Sequence, residues 1–521
     1  MLRALFSGYR RQQLDKTPDH PSKNEEKAEL CNELDTNIET VKTLLHQAAD
    51  LLIRQCKLGG TGQNCAIVCI DGLVDIELIN DKVIKRILSN QSFQDTNIPL
   101  SEIPTYLNDH VLSTEAIHIV NTLDDVMLPI LSGDTAVFID GTTQVIIIGT
   151  KKWEDRSVEE PTTETLVRGP RDGFNENLRT NTVLIRRRVR DSNLRFDSFK
   201  IGRRSKKDLV LTYIDGIINP KIIEEMKRRL KTIDVDDAPE SGYIEQLIED
   251  SYLSIFPQHM VTERPDKVSS AIMQGKAAIL LDGTPFALIA PSVFSDHFQS
   301  PGDYYQRFPI GTFIRALRYL AAFLAVFLPG LYIALVSYHP GMIPSNLAFQ
   351  IAATREGVPF PAVVEAFLME ATFELLREAG IRLPKMIGQT IGIVGGLVIG
   401  EAAVSAGIVS PIMVIIVAVT AVSTFAIPSY EVSITFRILR FGIMLAAALF
   451  GFYGLLLAYI MINIHLTNLT SYGVPYTAPF APAFFPDWKD LIIRAPLAME
   501  TKRPEMLQPK DSRRTGGDDT N

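Results

Sequence analysis

The sequence predicts an α/β soluble region of two similar subdomains followed by a polytopic α-helical membrane domain. Three observations carry that prediction. Between Phe313 and Ile464 lie apolar runs about as long as the ~18–20 residues that cross a hydrocarbon core as helix. Ahead of them, strand-like stretches that close on Asp-Gly turns occur twice, at nearly one offset. The charged residues, 21% of the chain, crowd outside the apolar runs, so the soluble and membrane halves differ sharply in composition.

At 521 residues the chain has room for two or more domains. A net charge of -8 argues against a nucleic-acid-binding protein. The four cysteines, Cys31, Cys56, Cys65 and Cys69, all lie near the amino terminus and form no CxxC pair, which favours small buried side chains over metal ligands. Cys65 and Cys69 share one strand and are too far apart to bridge each other. Met1 to Gln13 lacks the apolar core of a secretion signal.

Residues 1–33 read as a flexible lead-in and 34–166 as the first α/β subdomain. Leu34 to Cys56 places Leu34, Ile38, Val41, Leu44, Leu45, Ala48, Leu51 and Leu52 at helical spacing. Asn64 to Gly72 (NCAIVCIDG) is a strand ending on Asp-Gly, and Asp208 to Gly216 (DLVLTYIDG) echoes it. Thr135 to Gly149 and Lys276 to Pro291 are hairpins, each turning on Asp-Gly. Asp71 and Asp215 lie 144 positions apart, and Asp140 and Asp282 lie 142 apart, as an internal duplication requires. Turn geometry accounts for these aspartates better than catalysis does. Helices are expected over Ile79–Leu88, Pro220–Leu230 and Tyr243–Ile255, with 201–300 forming the second subdomain. His46, His110, His118 and His259 stand isolated and read as structural histidines. No phosphate loop, HExxH or serine elbow is present, so neither an enzyme nor a metal or cofactor site is expected.

Residues 167–200 form a basic linker. Glycine and proline between Arg168 and Gly173 fix a turn, and Phe174 to Val189 can continue as helix. Arg168, Arg171, Arg186, Arg187 and Arg188 are the candidate partner or coupling surface. They suit an acidic partner or anionic lipid, or else a solvated face that pairs with acids of the same protein.

The membrane domain, 301–496, is expected to hold four to six helices. Tyr319–Tyr338, Ile387–Gly407, Ser410–Ile427 and Phe441–Ile464 are the apolar runs. Phe360 to Ala379 carries Glu365, Glu370, Glu374 and Glu378, and reads as a surface amphipathic helix or a polar-faced spanning or re-entrant one. Arg307, Arg315 and Arg318 ahead of the first run put the soluble half on the cytoplasmic side. Arg377, Arg382 and Lys385, and then Arg437 and Arg440, fall on the same side if the acidic segment crosses. Five crossings would leave the carboxyl end opposite, unless Val474 to Pro486 re-enters. Residues 497–521 read as a disordered tail.

Several long stretches carry a family resemblance: RGPRDGFNENLRTN from Arg168, LIRRR from Leu184, DYYQRF from Asp303, YIALVSYHPGMIP from Tyr332, VPFPAVVEAFLMEATFELLREAGIRLP from Val358 and IVGGLVIGEAAVSAGIVSP from Ile393. In the same order they resemble the A subunit of the GerA-type spore germinant receptors, over roughly Leu34 to Pro496. The resemblance implies a multi-pass protein of the spore inner membrane, with its soluble half facing the spore core. It implies a transporter-like B subunit and a C lipoprotein as partners, contact with membrane lipid, and a homo-oligomer, a pentamer, that conducts ions when nutrients trigger germination. An A-like paralogue associated with dipicolinate release fits the same motifs.

Acidic residues inside an apolar region suit an ion path better than bond chemistry. A secondary transporter would need paired repeats and more spans, while a non-conducting scaffold or signal-coupling subunit remains the alternative. Glu370 and Glu374 share a face of the acidic helix with Arg377, and Glu365 sits roughly 140° away from Glu370. The candidate ion path is therefore Glu370 and Glu374, with Phe373 as a constriction and Glu401 lining a vestibule. Gly388, Gly392, Gly396 and Gly400 recur every four residues and form a smooth ridge for helix packing.

Overall fold

The computed structural model describes residues 30–515 except 46–47, 60–61, 90–98, 112–116, 153–159, 383–397 and 399. The chain divides into two compact units. One comprises residues 1–158, 179–198 and 513–521; the other comprises 159–178 and 199–512.

In the first unit, α1 (Leu34–Leu44) buries Leu34, Ile38 and Val41 at the predicted spacing. The helix stops earlier than its apolar pattern suggested. Leu51 and Leu52 belong instead to β1 (Leu51–Lys57), where side chains alternate between exposed and half-buried and period two wins over period 3.6. β2 (Asn64–Ile70) is almost wholly buried. Its Ala66, Val68 and Ile70 pack with α1, while Cys65, Ile67 and Cys69 face Val83, Ile87 and Leu107 on the other side. The expected helix at Ile79–Leu88 is found as a π-helical turn, Ile79–Ile84, running into Lys85–Ser89. β3 (Ile117–Val120) leads into α2 (Leu123–Leu131), whose amino end is capped by the Thr122 hydroxyl. β4 (Thr135–Ile139) and β5 (Val145–Ile148) form the predicted hairpin.

The basic helix is α3 (Leu178–Arg188), shorter at both ends than expected. Residues 179–188 belong to the first unit. β6 (Leu194–Ile201) and β7 (Lys207–Ile214) follow, then α4 (Pro220–Thr232) and α5 (Ser241–Ile248). The pattern had carried α5 on to Ile255. Gln258 Oε1 instead accepts the Asp250 and Ser251 N–H groups and turns the chain out of the helix. β8 (Met260–Thr262), α6 (Pro265–Met273), β9 (Ala277–Leu281) and β10 (Ala287–Ala290) complete the second subdomain.

The duplication is explicit in the topology. One sheet runs β1-β2-β4-β5-β3 and the other β6-β7-β9-β10-β8, so each strand has its counterpart five places on. At all four Asp-Gly turns the glycine has positive φ, between 78° and 88°, as the turn residue must.

The second unit continues into a helical region. α7 (Phe308–Ser337) and a later helix, α11 (Tyr430–Asn468), are long and apolar enough to cross a membrane. Between them lie α8 (Ser345–Arg355), α9 (Ala362–Arg382) and α10 (Pro411–Phe425), the last a short apolar helix of 15 residues. The expected run Ile387–Gly407 lies largely outside the described residues.

α11 is not a straight rod. A straight helix of 39 residues would be about 58 Å long. Yet Thr435, near one end, donates to Ile255 O at 2.5 Å, and His465, near the other, bonds the Ser254 hydroxyl at 3.0 Å. The chain reverses at Gly451, whose φ of 61° and ψ of -138° are not helical. A Cβ there would meet Tyr338 Cβ at 3.0 Å, so the reversal requires glycine. Val432 and Phe436 consequently share one apolar cluster with Leu466 and Leu469. The run expected as one span, Phe441–Ile464, thus straddles the tip of a helical hairpin.

Among the described residues of the carboxyl-terminal stretch, where a disordered tail is expected from residue 497, several side chains are buried. Tyr472, Val474, Ala478, Met506 and Leu507 are buried in the core of the second subdomain beside Leu211, Ile222 and Ile279. Their apolar side chains, thinly spread among prolines and charges, give no periodic signal. The tail therefore returns to the subdomain from which the first long helix departs.

Candidate functional site

The acidic helix α9 lies among α7, α10 and the first leg of α11, and each of its four carboxylates meets a cation. Glu365 pairs with Arg355 at 3.0 Å and accepts the N–H of Ser410, the cap of α10, at 2.9 Å. Glu370 pairs with Arg440 at 2.6 Å, and both side chains are about 4% exposed. Arg440 also donates to Ala325 O and Thr424 Oγ1, at 2.8 Å each, so its guanidinium ties α7, α9, α10 and α11 together. Glu374 pairs with Arg437 and, more loosely, with Arg377 at 4.0 Å. Glu378 pairs with Arg382 at the exposed end of α9.

This arrangement separates two residues that the sequence placed together. Glu370 is sealed inside the chain, with Oε1 lacking a hydrogen-bond partner among the described residues. Glu374 keeps 38% of its side chain exposed. Phe373 is half-buried and packs into the cluster of Tyr332, Met369 and Met413. Glu401 is exposed in the helical stretch 400–405, and Gly400 is buried with Val414 3.6 Å from where a Cβ would stand. Gly388, Gly392 and Gly396 lie outside the described residues.

Sequence reasoning missed the partners. It reads Arg437 and Arg440 as charges marking the cytoplasmic face, and sets only Arg377 on the face of Glu370 and Glu374. Their i, i+3 spacing, set against Glu370 and Glu374 at i, i+4, was the available signal, because two helix faces so spaced can meet pair by pair. Arg315 and Arg318 are likewise internal partners rather than free surface charges. Both contact Asp303, at 3.1 and 2.6 Å, and Arg315 also reaches Asp490 at 2.7 Å.

The basic linker divides too. Arg168 and Arg171 are exposed, and Arg187 and Arg188 are half-buried. Arg186 is only 1% exposed, bonds Asp50 through Nη2 at 2.9 Å and Nε at 3.1 Å, and lies 4.8 Å over the Phe196 ring. It is a brace within the first unit and does not belong to a partner surface.

A second concave feature lies where the second subdomain meets the amino end of α11. This cavity, of about 520 Å³, is lined by Glu164, Glu240, Glu245, Lys267, His297 and Glu431 among others. Burial, aided by the nearby Glu431 charge, pushes Glu245 up to about 9, and burial raises Glu249 to about 7. His297 is enclosed between the Ser292 and Ser429 hydroxyls, and burial drives its imidazole down to about 4.

The family described as Bacillus/Clostridium GerA spore germination protein matches residues 39–506. Spore germination protein GerLA of Bacillus cereus is 52% identical over 484 residues, covering 93% of this chain and 97% of that protein. Spore germination protein KA of Bacillus subtilis (strain 168) is 44% identical over 483 residues, with 92% and 88% covered. The crystal structure of the N-terminal domain of the A subunit of the Bacillus megaterium spore germinant receptor GerK3 shares 32% identity. It covers 51% of this chain and 98% of that one, with a TM-score of 0.42.

Proposed function

Because the chain belongs to the GerA family of spore germination proteins, whose subunits are not enzymes, we propose that it is the A subunit of a nutrient germinant receptor that forms or gates an oligomeric cation-conducting path. The observation that carries this reading is the row of carboxylates on α9, set among apolar helices and matched by arginines from α11 and α8. In this state each negative charge is compensated, as suits a closed path. Glu374, half exposed, is the carboxylate that a ring of copies would turn toward a passage and use to attract cations. Glu370 and Arg440 act as the latch behind it. Phe373 narrows the passage and Glu401 lines its mouth. The ridge of Gly388, Gly392, Gly396 and Gly400 brings neighbouring copies together, in a pentamer.

The same helices support a proposal for location and topology. The chain sits in the spore inner membrane with both ends of its helical region on the side of the second subdomain. That requires an even number of crossings. With the two legs of α11 counted separately, α7, α9 and α10 make five among the described residues, and the apolar run read from the sequence at Ile387–Gly407 supplies the sixth. The soluble half faces the spore core. A transporter-like B subunit, the better candidate for holding the nutrient, and a C lipoprotein complete the receptor, and exposed Arg168 and Arg171 offer a coupling surface toward them.

The sealing of Glu370 against Arg440 favours a second reading, in which the helices transmit a signal without conducting. Efflux of a trapped cation from liposomes carrying the purified complex, with and without this subunit, separates the two. Equal efflux in both preparations selects the signal-coupling role.

A further inference from the structure

Glu245 and Glu249 lie one helical turn apart at the end of α5, joined by the Glu249 N–H bond to Glu245 O at 3.1 Å, so their carboxylates leave the same face. Across from them stands His259, just before β8. One ligand atom from each of the three residues lies within 4.8 Å of the others. The histidine is fully buried, at 0% exposed. Its Nε2 is engaged by the Tyr472 hydroxyl at 3.0 Å, while Nδ1 has no hydrogen-bond partner among the described residues. Nδ1 points into the acidic pair, 3.9 Å from Glu245 Oε1, too far for a hydrogen bond.

A buried nitrogen without a partner facing two carboxylates is costly if nothing lies between them. Arg229, whose charge acts on His259, does not supply the missing charge. Arg229 is taken up by Glu225 at 2.7 Å and by Asp250, and its guanidinium lies 4.6 Å over the Tyr472 ring. Two carboxylate oxygens and one neutral imidazole nitrogen, the imidazole oriented through its other nitrogen by a second group, form a donor set for a divalent first-row metal. We infer that Glu245, Glu249 and His259 bind one divalent transition-metal ion of the manganese or zinc class. Glu245 also lines the cavity shared with Glu431, so the ion would sit where the second subdomain meets the first turn of the helical hairpin. Its coordination would then fix the end of α5 against the turn that carries Tyr472. Sequence pattern gives little hint of this set, because the nine-residue gap between Glu249 and His259 fits no metal motif.

The full-length chain, purified in detergent and stripped with chelator, is titrated with Mn2+ while the electron paramagnetic resonance signal of free Mn2+ is followed. Manganese is chosen because it favours oxygen and imidazole over the cysteine thiols elsewhere in the chain. One Mn2+ bound per chain is expected, displaced by Zn2+ and weakened at least about tenfold in Glu249→Gln and in His259→Gln. Glu249 is half-buried at a helix end, so its variant decides alone if the buried His259→Gln fails to fold. Manganese that stays free in the presence of the wild-type chain overturns the assignment. So does equal binding by Glu249→Gln. Either result leaves the conduction reading untouched, since the site lies outside α9.

Discussion

Replacing Arg440 by glutamine is the sharpest perturbation of the helical region. It removes the 2.6 Å pair with Glu370 and the donations to Ala325 O and Thr424 Oγ1. Glu370 is then a buried carboxylate with no cation, and breaking a buried pair in this way costs roughly 3–5 kcal/mol. The reciprocal change, Glu370→Gln, is milder, because Arg440 keeps its other two acceptors, and a loss of about 1–3 kcal/mol is expected. The double variant leaves no unpaired charge, so it should recover about 2 kcal/mol or more relative to the sum of the single losses. Thermal unfolding of the detergent-solubilised chain, read across all four proteins, measures the coupling. Losses that are equal for the two single variants and simply add in the double one would refute a closed buried latch.

The remaining predictions concern other parts of the chain. Gly451→Leu should prevent the reversal of α11, since a side chain collides with Tyr338 at positive φ; the expected cost is about 2 kcal/mol or more, seen as aggregation or a lower unfolding midpoint. Arg186→Glu, which sets a carboxylate in the buried Arg186 position against half-buried Asp50, should lower stability by roughly 3–5 kcal/mol, whereas Arg168→Glu, on an exposed turn, should leave unfolding within about 0.5 kcal/mol of wild type. His297, held near 4 when folded, has its stabilising effect complete above the unfolded value of about 6.5. As pH falls from about 6.5 to 4 the unfolded chain takes up a proton that the folded one refuses, so up to about 3 kcal/mol is lost. His297→Gln should flatten that part of the pH–stability curve, and an unchanged slope would remove His297 as its source.

The duplicated sheets were legible because their signals are local. Asp-Gly turns and short, nearly continuous apolar runs mark β2, β4 and β7, and each sits where its pattern put it. Long-range partners were not legible. Beyond the matched spacing of the two helix faces, nothing near Glu370 announces Arg440, 70 positions away, and nothing near Arg186 announces Asp50. The cysteine reading held for Cys65 and Cys69, which are free and buried, but it missed a cross-strand neighbour. It compared Cys65 with Cys69 along one strand, whereas antiparallel register sets Cys65 against Cys56, with the sulfurs 3.0 Å apart. The hairpin in α11 was hidden because uniform apolarity does not reveal where a helix reverses, and Gly451 is one small residue among several. The tail was misjudged because Met506 and Leu507 stand alone among polar neighbours, so their burial depends on a groove that only the folded subdomain supplies.

In the proposed receptor, Glu374 serves a cation path while Glu370 holds it closed. The most direct test compares efflux of trapped potassium and chloride from liposomes carrying the assembled receptor with wild-type, Glu374→Gln or Glu370→Gln subunits. The account predicts that potassium leaves faster than chloride with the wild-type subunit. Glu374→Gln should reduce that preference, and Glu370→Gln should raise resting efflux, without dispersing the assembly. Variants that assemble normally and pass both ions at wild-type rates would contradict it.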